Sequence, residues 1–155
     1  MMILDTHHVA QLQRVGSRDA AVIEARLHTV PITDLWITVI TPYEQLREAL
    51  GRINSEQSPE KQVARFSLFQ RMIDYYATYW KDRILPFDER AARVLGSFEP
   101  KLIRSIGARD ARIAAIALVH RATVLTANMT DFQRVPGISV SNWLRGSPDH
   151  PEFSP

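Results

Sequence analysis

The chain has 155 residues, a formal net charge of +2, no cysteine, and 45% hydrophobic residues. This length and apolar content predict one folded domain with its own core and argue against a disordered protein. The lack of cysteine excludes disulfides, thiolate zinc sites, iron–sulfur clusters and cysteine nucleophiles.

Short apolar runs alternate along the chain with helical patterns. The predicted elements, in chain order, are a strand at 2–4, a helix at 8–12, a helix at 18–28, a strand at 35–40, a helix from 42, a helix at 59–80, a strand at 84–87, a helix at 89–95, a helix at 108–120, a strand at 123–125 and a strand at 138–140. Strands that alternate with helices indicate a parallel sheet covered on both faces. We therefore predict an α/β fold with three layers, α/β/α, around a central, mostly parallel sheet.

The end of the chain differs in composition from the rest. Residues 146–155 contain three prolines, one glycine and two serines. This composition predicts a flexible C-terminal tail behind a single domain over residues 1–145.

Four acids occupy positions from which a parallel sheet would bring them together. Asp5 closes the first strand, and Glu44 lies in the first turn of the helix after the second strand. Asp110 begins the helix that leads into the strand at 123–125, and Asp131 follows that strand. Since the binding crevice of such sheets lies beyond the carboxyl ends of the strands, we expect these four side chains to meet there.

Each acid also has a structural explanation when it is taken singly. Asp5 suits a turn, Glu44 completes a capping box with Thr41, Asp110 complements a helix dipole, and Asp131 suits the cap of a turn. Their combination favours a site, because four gathered carboxylates repel one another and a divalent cation would relieve that repulsion. Oxygen ligands without cysteine favour Mg²⁺ or Mn²⁺ over zinc.

Several segments, in this order, match a known pattern: Ile3-Leu4-Asp5-Thr6, residues 39–46 (VITPYEQL), residues 84–88 (ILPFD), residues 106–115 (IGARDARIAA), residues 125–137 (LTANMTDFQRVPG) and Asn142-Trp143. The chain resembles the PIN-domain ribonucleases, and most closely the VapC-type toxins of bacterial toxin–antitoxin pairs. The resemblance runs from Ile3 to about Trp143.

The resemblance implies a PIN-like fold and a metal site formed by Asp5, Glu44, Asp110 and Asp131. It also implies that Thr126 and Asn128 orient carboxylates or water; these six residues are the catalytic set: Asp5, Glu44, Asp110, Asp131, Thr126 and Asn128. The implied activity is Mg²⁺- or Mn²⁺-dependent endoribonuclease cleavage of RNA that leaves 5′-phosphate and 3′-hydroxyl ends. The implied partners are a VapB-like antitoxin and a second copy of the chain in a homodimer.

One position departs from the pattern of the family. His7 stands where the family usually has asparagine. We expect activity to survive, because a histidine can still donate a hydrogen bond or contact a phosphate. The alternative for His7 and His8 is that both are helix-start residues that face solvent.

Apolar residues recur at helical spacing in the fourth predicted helix: Phe66, Phe69, Ile73, Tyr76 and Trp80. They form either an internal core stripe or a surface for self-association or for an inhibitory partner helix.

Arginine accounts for sixteen of the nineteen cationic side chains. Arginine suits phosphate and carboxylate partners, and Arg104, Arg109 and Arg112 either contact RNA or antitoxin or are solvated helix residues. No stretch is long and apolar enough for a membrane helix, and no secretory signal is recognisable, so we expect a cytoplasmic protein without membrane contact.

Two other functions remain open. One is a phosphatase or phosphotransferase with an aspartyl nucleophile at Asp5, although no second acid follows two residues later. The other is a catalytically weak PIN-like module that only binds RNA or protein. Asp88 reads as the cap of the next helix and is left out of the metal set.

Overall fold

The structure is a computed structural model that describes residues 1–144. The predicted tail at 146–155 and the predicted domain end at 145 lie outside the described residues. The elements are β1 (Met2–Leu4), α1 (Thr6–Leu12), α2 (Arg18–Leu27), a 3₁₀ helix (Ile32–Asp34), β2 (Leu35–Thr38), α3 (Ile40–Asn54), α4 (Pro59–Tyr79), β3 (Ile84–Leu85), α5 (Glu89–Gly96), α6 (Pro100–Ile106), α7 (Ala108–His120), β4 (Thr123–Leu125), α8 (Met129–Phe132) and β5 (Ser139–Ser141).

The described strands form one five-stranded sheet in the order β3-β2-β1-β4-β5. Every pairing in it is parallel, so the predicted mostly parallel sheet is confirmed and is in fact parallel throughout. β1 is the middle strand. Its Met2 pairs with Leu35 of β2 on one side and with Thr123 of β4 on the other.

The sheet is covered on both faces, which confirms the three-layer prediction. Successive side chains of a strand point to opposite faces, and in β1 both Ile3 and Leu4 are fully buried. Ile3 belongs to a core cluster shared with α5, α6, α7 and α8, whereas Leu4 belongs to a cluster shared with α1, α2 and α4. An apolar run without polar alternation is therefore explained by burial on both faces.

Three of the predicted helix starts are confirmed. The side chains of Ser17, Ser58 and Asp88 each accept a hydrogen bond from the backbone N–H three residues later, at the starts of α2, α4 and α5. Asp88 is thus an N-cap, as predicted.

The predicted start of α3 is wrong. The helix begins at Ile40 rather than Pro42, β2 ends at Thr38, and Val39 stands at the cap position without a side-chain hydrogen bond. Thr41 lies inside the helix and is completely buried, so no capping box forms. A β-branched run fits a strand or a buried first turn equally well, and Ile40 is buried in the core as part of that turn.

Of the two alternatives for the apolar face of α4, the internal core stripe is wrong for part of the helix. Tyr76 and Trp80 are buried, but Phe66 is 54% exposed and Ile73 is 41% exposed. Helical spacing identifies a face without showing whether that face is covered. Within residues 1–144, no helix combines the length and hydropathy needed to cross a membrane.

Candidate active site

The carboxyl ends of the middle strands share one edge of the sheet. The ladder continues past β1 and β4, because Asp5 N–H donates to Leu125 O at 3.0 Å and Thr126 N–H donates to Ser141 O at 2.9 Å. Val39 N–H, just beyond β2, donates to Leu85 O at 2.9 Å. The chain therefore turns into α1 and α3, and towards α8, from neighbouring points.

Asp5 is buried at this edge, with 7% of the residue exposed. Its Oδ1 accepts a hydrogen bond from His8 N–H at 2.8 Å and lies 3.0 Å from His8 Nδ1. Asp5 is thus the N-cap of α1. His8 is completely buried, so the solvent-facing alternative is wrong for His8, whereas His7 is exposed.

Glu44 reaches the same edge from one turn inside α3, with 9% of the residue exposed. Its Oε2 accepts a hydrogen bond from the Thr6 hydroxyl, which immediately follows Asp5. Arg109 Nε lies 2.9 Å from Glu44 Oε1 and forms an ion pair with it. That contact lacks hydrogen-bond geometry, so Oε1 is a buried carboxylate oxygen without a hydrogen-bond partner among the described residues.

Asn128 joins the other two acids. Its Nδ2 donates to Asp110 Oδ2 at 3.0 Å and to Asp131 Oδ2 at 2.9 Å. Thr126 is completely buried and accepts a hydrogen bond from Asn128 N–H at 2.9 Å through its hydroxyl. Arg134 Nη1 lies 3.7 Å from Asp131 Oδ1. The orienting role expected of Thr126 and Asn128 thus has a geometric basis.

A glycine between two helices sets the position of Asp110. Gly107 has a φ of +88°, a conformation that favours glycine, and it both ends α6 and precedes α7. The chain can thereby start α7 directly after α6, which places Asp110 in the first turn of the new helix.

Electrostatics link Asp110 to Asp5 and Glu44. Burial raises the pKa of the Asp110 carboxyl above its ordinary value, and the negative charges of Asp5 and Glu44 raise it further. The hydrogen bond from Asn128 and the charge of Arg109 oppose that rise. Asp110 therefore lies within the field of Asp5 and Glu44, and it shares a donor with Asp131.

The oxygen-only donor set, with a Glu44 Oε1 that is ion-paired with Arg109 but accepts no hydrogen bond, fits a divalent cation chemically. Within residues 1–144, however, no group of three acidic or histidine side chains is arranged to ligate one ion. Asp110 is thus related to Asp5 and Glu44 through their charges and to Asp131 through Asn128, and the ability of the four acids to hold a metal stays a prediction.

The sequence did not predict that two further residues, Thr6 and Arg109, contact Glu44. Thr6 belongs to the first recognised segment, and only its hydroxyl beside Asp5 could have indicated a contact to Glu44. Arg109 was expected to contact RNA or antitoxin or to be solvated. The ion pair that it forms with Glu44 joins residues far apart in sequence, which leaves no local pattern.

The raised pKa of Asp110 has a consequence for stability in metal-free buffer. The folded protein holds this proton more tightly than the unfolded chain, so the ionisation of Asp110 costs stability as the pH rises above 3.8. We expect Asp110→Asn, which keeps an acceptor for Asn128, to be more stable than the parent near neutral pH. The difference should shrink as the pH falls towards 3.8.

Urea denaturation across this pH range, with a chelator present, measures the effect. Glu24→Gln, on an exposed position of α2, is the control for the loss of one carboxylate. A parent protein as stable as Asp110→Asn at neutral pH would contradict the electrostatic description of the site.

Comparison with known proteins finds relatives among solved structures. No family model matches the chain, and no curated protein matches it. The FitAB complex bound to an IR36 DNA fragment contains a chain that is 25% identical, with a TM-score of 0.72 over 97% of this chain and 100% of that one. FitAcB from Neisseria gonorrhoeae is 26% identical, with a TM-score of 0.69 over 92% of this chain and 98% of that one.

VapBC-1 from nontypeable Haemophilus influenzae is 23% identical, with a TM-score of 0.68 over 93% of this chain and 98% of that one. A match at 23% identity shows a similar fold only. The matches span nearly the whole chain, as do the motifs that carry the resemblance, which run from Ile3 to Trp143. The resemblance indicated by the motifs is therefore confirmed by structure, and the chain is similar throughout to the PIN-domain, VapC-type proteins of toxin–antitoxin complexes.

Proposed function

We propose that this chain is a cytoplasmic Mg²⁺- or Mn²⁺-dependent endoribonuclease and the toxin of a type II toxin–antitoxin pair. The observation that supports the activity is the convergence of Asp5, Glu44, Asp110 and Asp131 at the carboxyl edge of the sheet. The similarity to FitAB and VapBC complexes supports the toxin role.

The four carboxylates would hold the metal. When bound, a divalent ion supplies a Lewis acid for the phosphate and lowers the pKa of a water molecule. The chain's own residues keep the carboxylates in place: Thr6 fixes one oxygen of Glu44, and Asn128 aligns Asp110 with Asp131. Thr126 in turn holds the backbone of Asn128.

Arg109 has a second role in this proposal. Its guanidinium neutralises the buried Glu44 carboxylate, although the Arg109 side chain itself is 65% exposed. An exposed guanidinium at the edge of an acid cluster suits a contact to a substrate phosphate. Arg109 would therefore stabilise Glu44 in the free protein and bind phosphate in the complex.

We also propose a VapB-like antitoxin as a protein partner. The similar FitAB and Salmonella typhimurium VapBC structures are complexes bound to DNA. Their assembly supports an antitoxin for this chain as well, and RNA would be its substrate.

A non-catalytic RNA- or protein-binding module is the second candidate function. It is favoured by the structural partners of the acids, since Asp5 caps α1, Arg109 pairs with Glu44, and Asn128 lies between Asp110 and Asp131. Metal binding separates the two candidates.

We expect Mn²⁺ or Mg²⁺ to raise the unfolding temperature, because the cation relieves the repulsion among the carboxylates. At a free ion concentration a hundredfold above Kd, the gain is about 2.7 kcal/mol. Differential scanning fluorimetry with and without EDTA measures it, and Asp110→Asn should reduce the shift. The absence of a shift with either ion would favour the non-catalytic module.

Asp5→Asn should abolish RNA cleavage while the protein stays folded. Asparagine caps a helix as well as aspartate does, so α1 keeps its start, but one ligand charge is lost. The loss of activity should exceed the roughly 10–100-fold that changes in outer-shell groups cost. Sequencing of RNA ends after incubation measures cleavage, circular dichroism checks the fold, and Glu24→Gln is the control. Full activity of Asp5→Asn would remove Asp5 from the site.

We further propose a homodimer, supported by the exposed apolar face of α4, defined by Val63, Phe66 and Ile73. Phe66→Asp should lower the mass measured by light scattering at micromolar concentration, because a charge cannot be buried unpaired in an apolar interface. Arg71→Asp, also exposed on α4, is the matched control. A monomeric parent protein at this concentration would contradict the dimer.

A further inference from the structure

A groove leads away from the acid cluster along α3. Its volume is about 620 Å³, and its lining includes both site residues and a length of α3. We call it the α3 groove and define it by Thr6, Glu44, Arg47, Gly51, Ser55 and Arg109. Because Glu44 and Arg109 belong to both, the groove is continuous with the candidate active site.

The spacing of its residues makes one stripe along α3. Glu44, Arg47, Gly51 and Ser55 follow one another at intervals of three, four and four residues, which places them on one face of the helix. This stripe is about 16 Å long. A Cβ built at Gly51 would have no atom within 4 Å, so the floor of the groove is open at this point.

Among the residues that the structure describes, the ion pairs of the groove leave one of its cations without a carboxylate. Arg109 is paired with Glu44, and Arg52, which also lines the groove, is paired with Glu48. Within the part of the chain that the structure describes, no carboxylate forms an ion pair with Arg47. Arg47 is therefore the cation that a bound anion would meet first beyond the acid cluster.

An aromatic ring accompanies this cation. Tyr43, one turn before Arg47, is 53% exposed, and Arg47 Cζ lies 6.0 Å from the centre of the Tyr43 ring. Proteins that bind single-stranded nucleic acid combine cations along a groove with aromatic rings on which unpaired bases stack. Tyr43 is not part of the groove lining, but its ring lies against the lining residue Arg47, so the two side chains provide this combination next to the acids.

We propose that the α3 groove binds the single-stranded RNA that flanks the scissile phosphate, with Arg47 on a phosphate and Tyr43 stacked on an unpaired base. This inference rests on the proposed ribonuclease function. The open floor at Gly51 and Ser55 gives the RNA backbone room to pass. An acidic peptide would use Arg47 equally well, but it has no planar base for the Tyr43 ring, so RNA is the occupant that uses both groups.

The test measures binding rather than cleavage. A short fluorescein-labelled single-stranded RNA of mixed sequence is titrated with the full chain carrying Asp5→Asn, and fluorescence anisotropy is followed at several salt concentrations. In this background Arg47→Gln should weaken binding and reduce the slope of log K against log salt by about 0.7, the value for one phosphate contact. Tyr43→Ala should weaken binding by about tenfold, with its salt slope unchanged.

Gly51 provides a matched pair of variants. Gly51→Glu and Gly51→Arg both fit the open space and both favour a helix over glycine, so both should fold. Gly51→Glu should weaken RNA binding, and Gly51→Arg should strengthen it. Arg18→Gln, exposed on α2 and outside the groove, should leave binding and its salt slope unchanged.

The outcomes separate this inference from the proposed function. If the parent cleaves RNA but Arg47→Gln, Tyr43→Ala and the Gly51 pair all bind RNA as the background does, the α3 groove is not the path of the RNA and the inference is overturned. If duplex RNA at equal concentration displaced the labelled single strand, the stacking of an unpaired base on Tyr43 would be overturned, because the bases of a duplex are paired. Binding of polyglutamate in place of RNA would assign the groove to an acidic peptide. A parent that neither cleaves nor binds RNA contradicts the proposed function itself.

Discussion

The candidate site depends on the parallel pairing of β1 on both of its sides. β1 hydrogen-bonds to β2 and β4, so three strands end at one edge of the sheet. Asp5, the start of α3 and Thr126 all lie at that edge because of this pairing. Ile3 and Leu4, fully buried on opposite faces, hold β1 between two helical layers. Loss of either pairing would separate the acids even if every helix remained folded.

Packing alone would not keep four carboxylates together. Each of them has a hydrogen-bond donor or a cation at hand: the start of α1 for Asp5, Thr6 and Arg109 for Glu44, and Asn128 for Asp110 and Asp131. The compensation is incomplete, since burial first, and then the charges of Asp5 and Glu44, still raise the pKa of Asp110. Such a partly neutralised cluster retains an electrostatic attraction for cations.

The strands, and the positions of the acids relative to them, could be predicted because apolar runs and the residues that end them are local features. Asp5 follows β1 directly, and the order of segments around Asp110 and Asp131 is visible in the sequence. The start of α3 could not be predicted, because Val39 and Ile40 suit a strand and a buried helical turn alike. The contact of Thr6 with Glu44 and the exposure of Phe66 depend on which elements pack together. A local sequence pattern does not predict this packing. Helix α6, absent from the predicted elements, lies just before the glycine that starts α7.

The sheet order also governs when the candidate site is completed during synthesis. β1 leaves the ribosome first, yet its neighbour β4 and the last acid, Asp131, are translated near the end of the described chain. A nascent chain therefore lacks Asp131 and one side of its central strand until β4 and α8 have been translated. If the chain is a ribonuclease, a nascent chain without these parts cannot cleave the messenger RNA or the ribosomal RNA that is producing it.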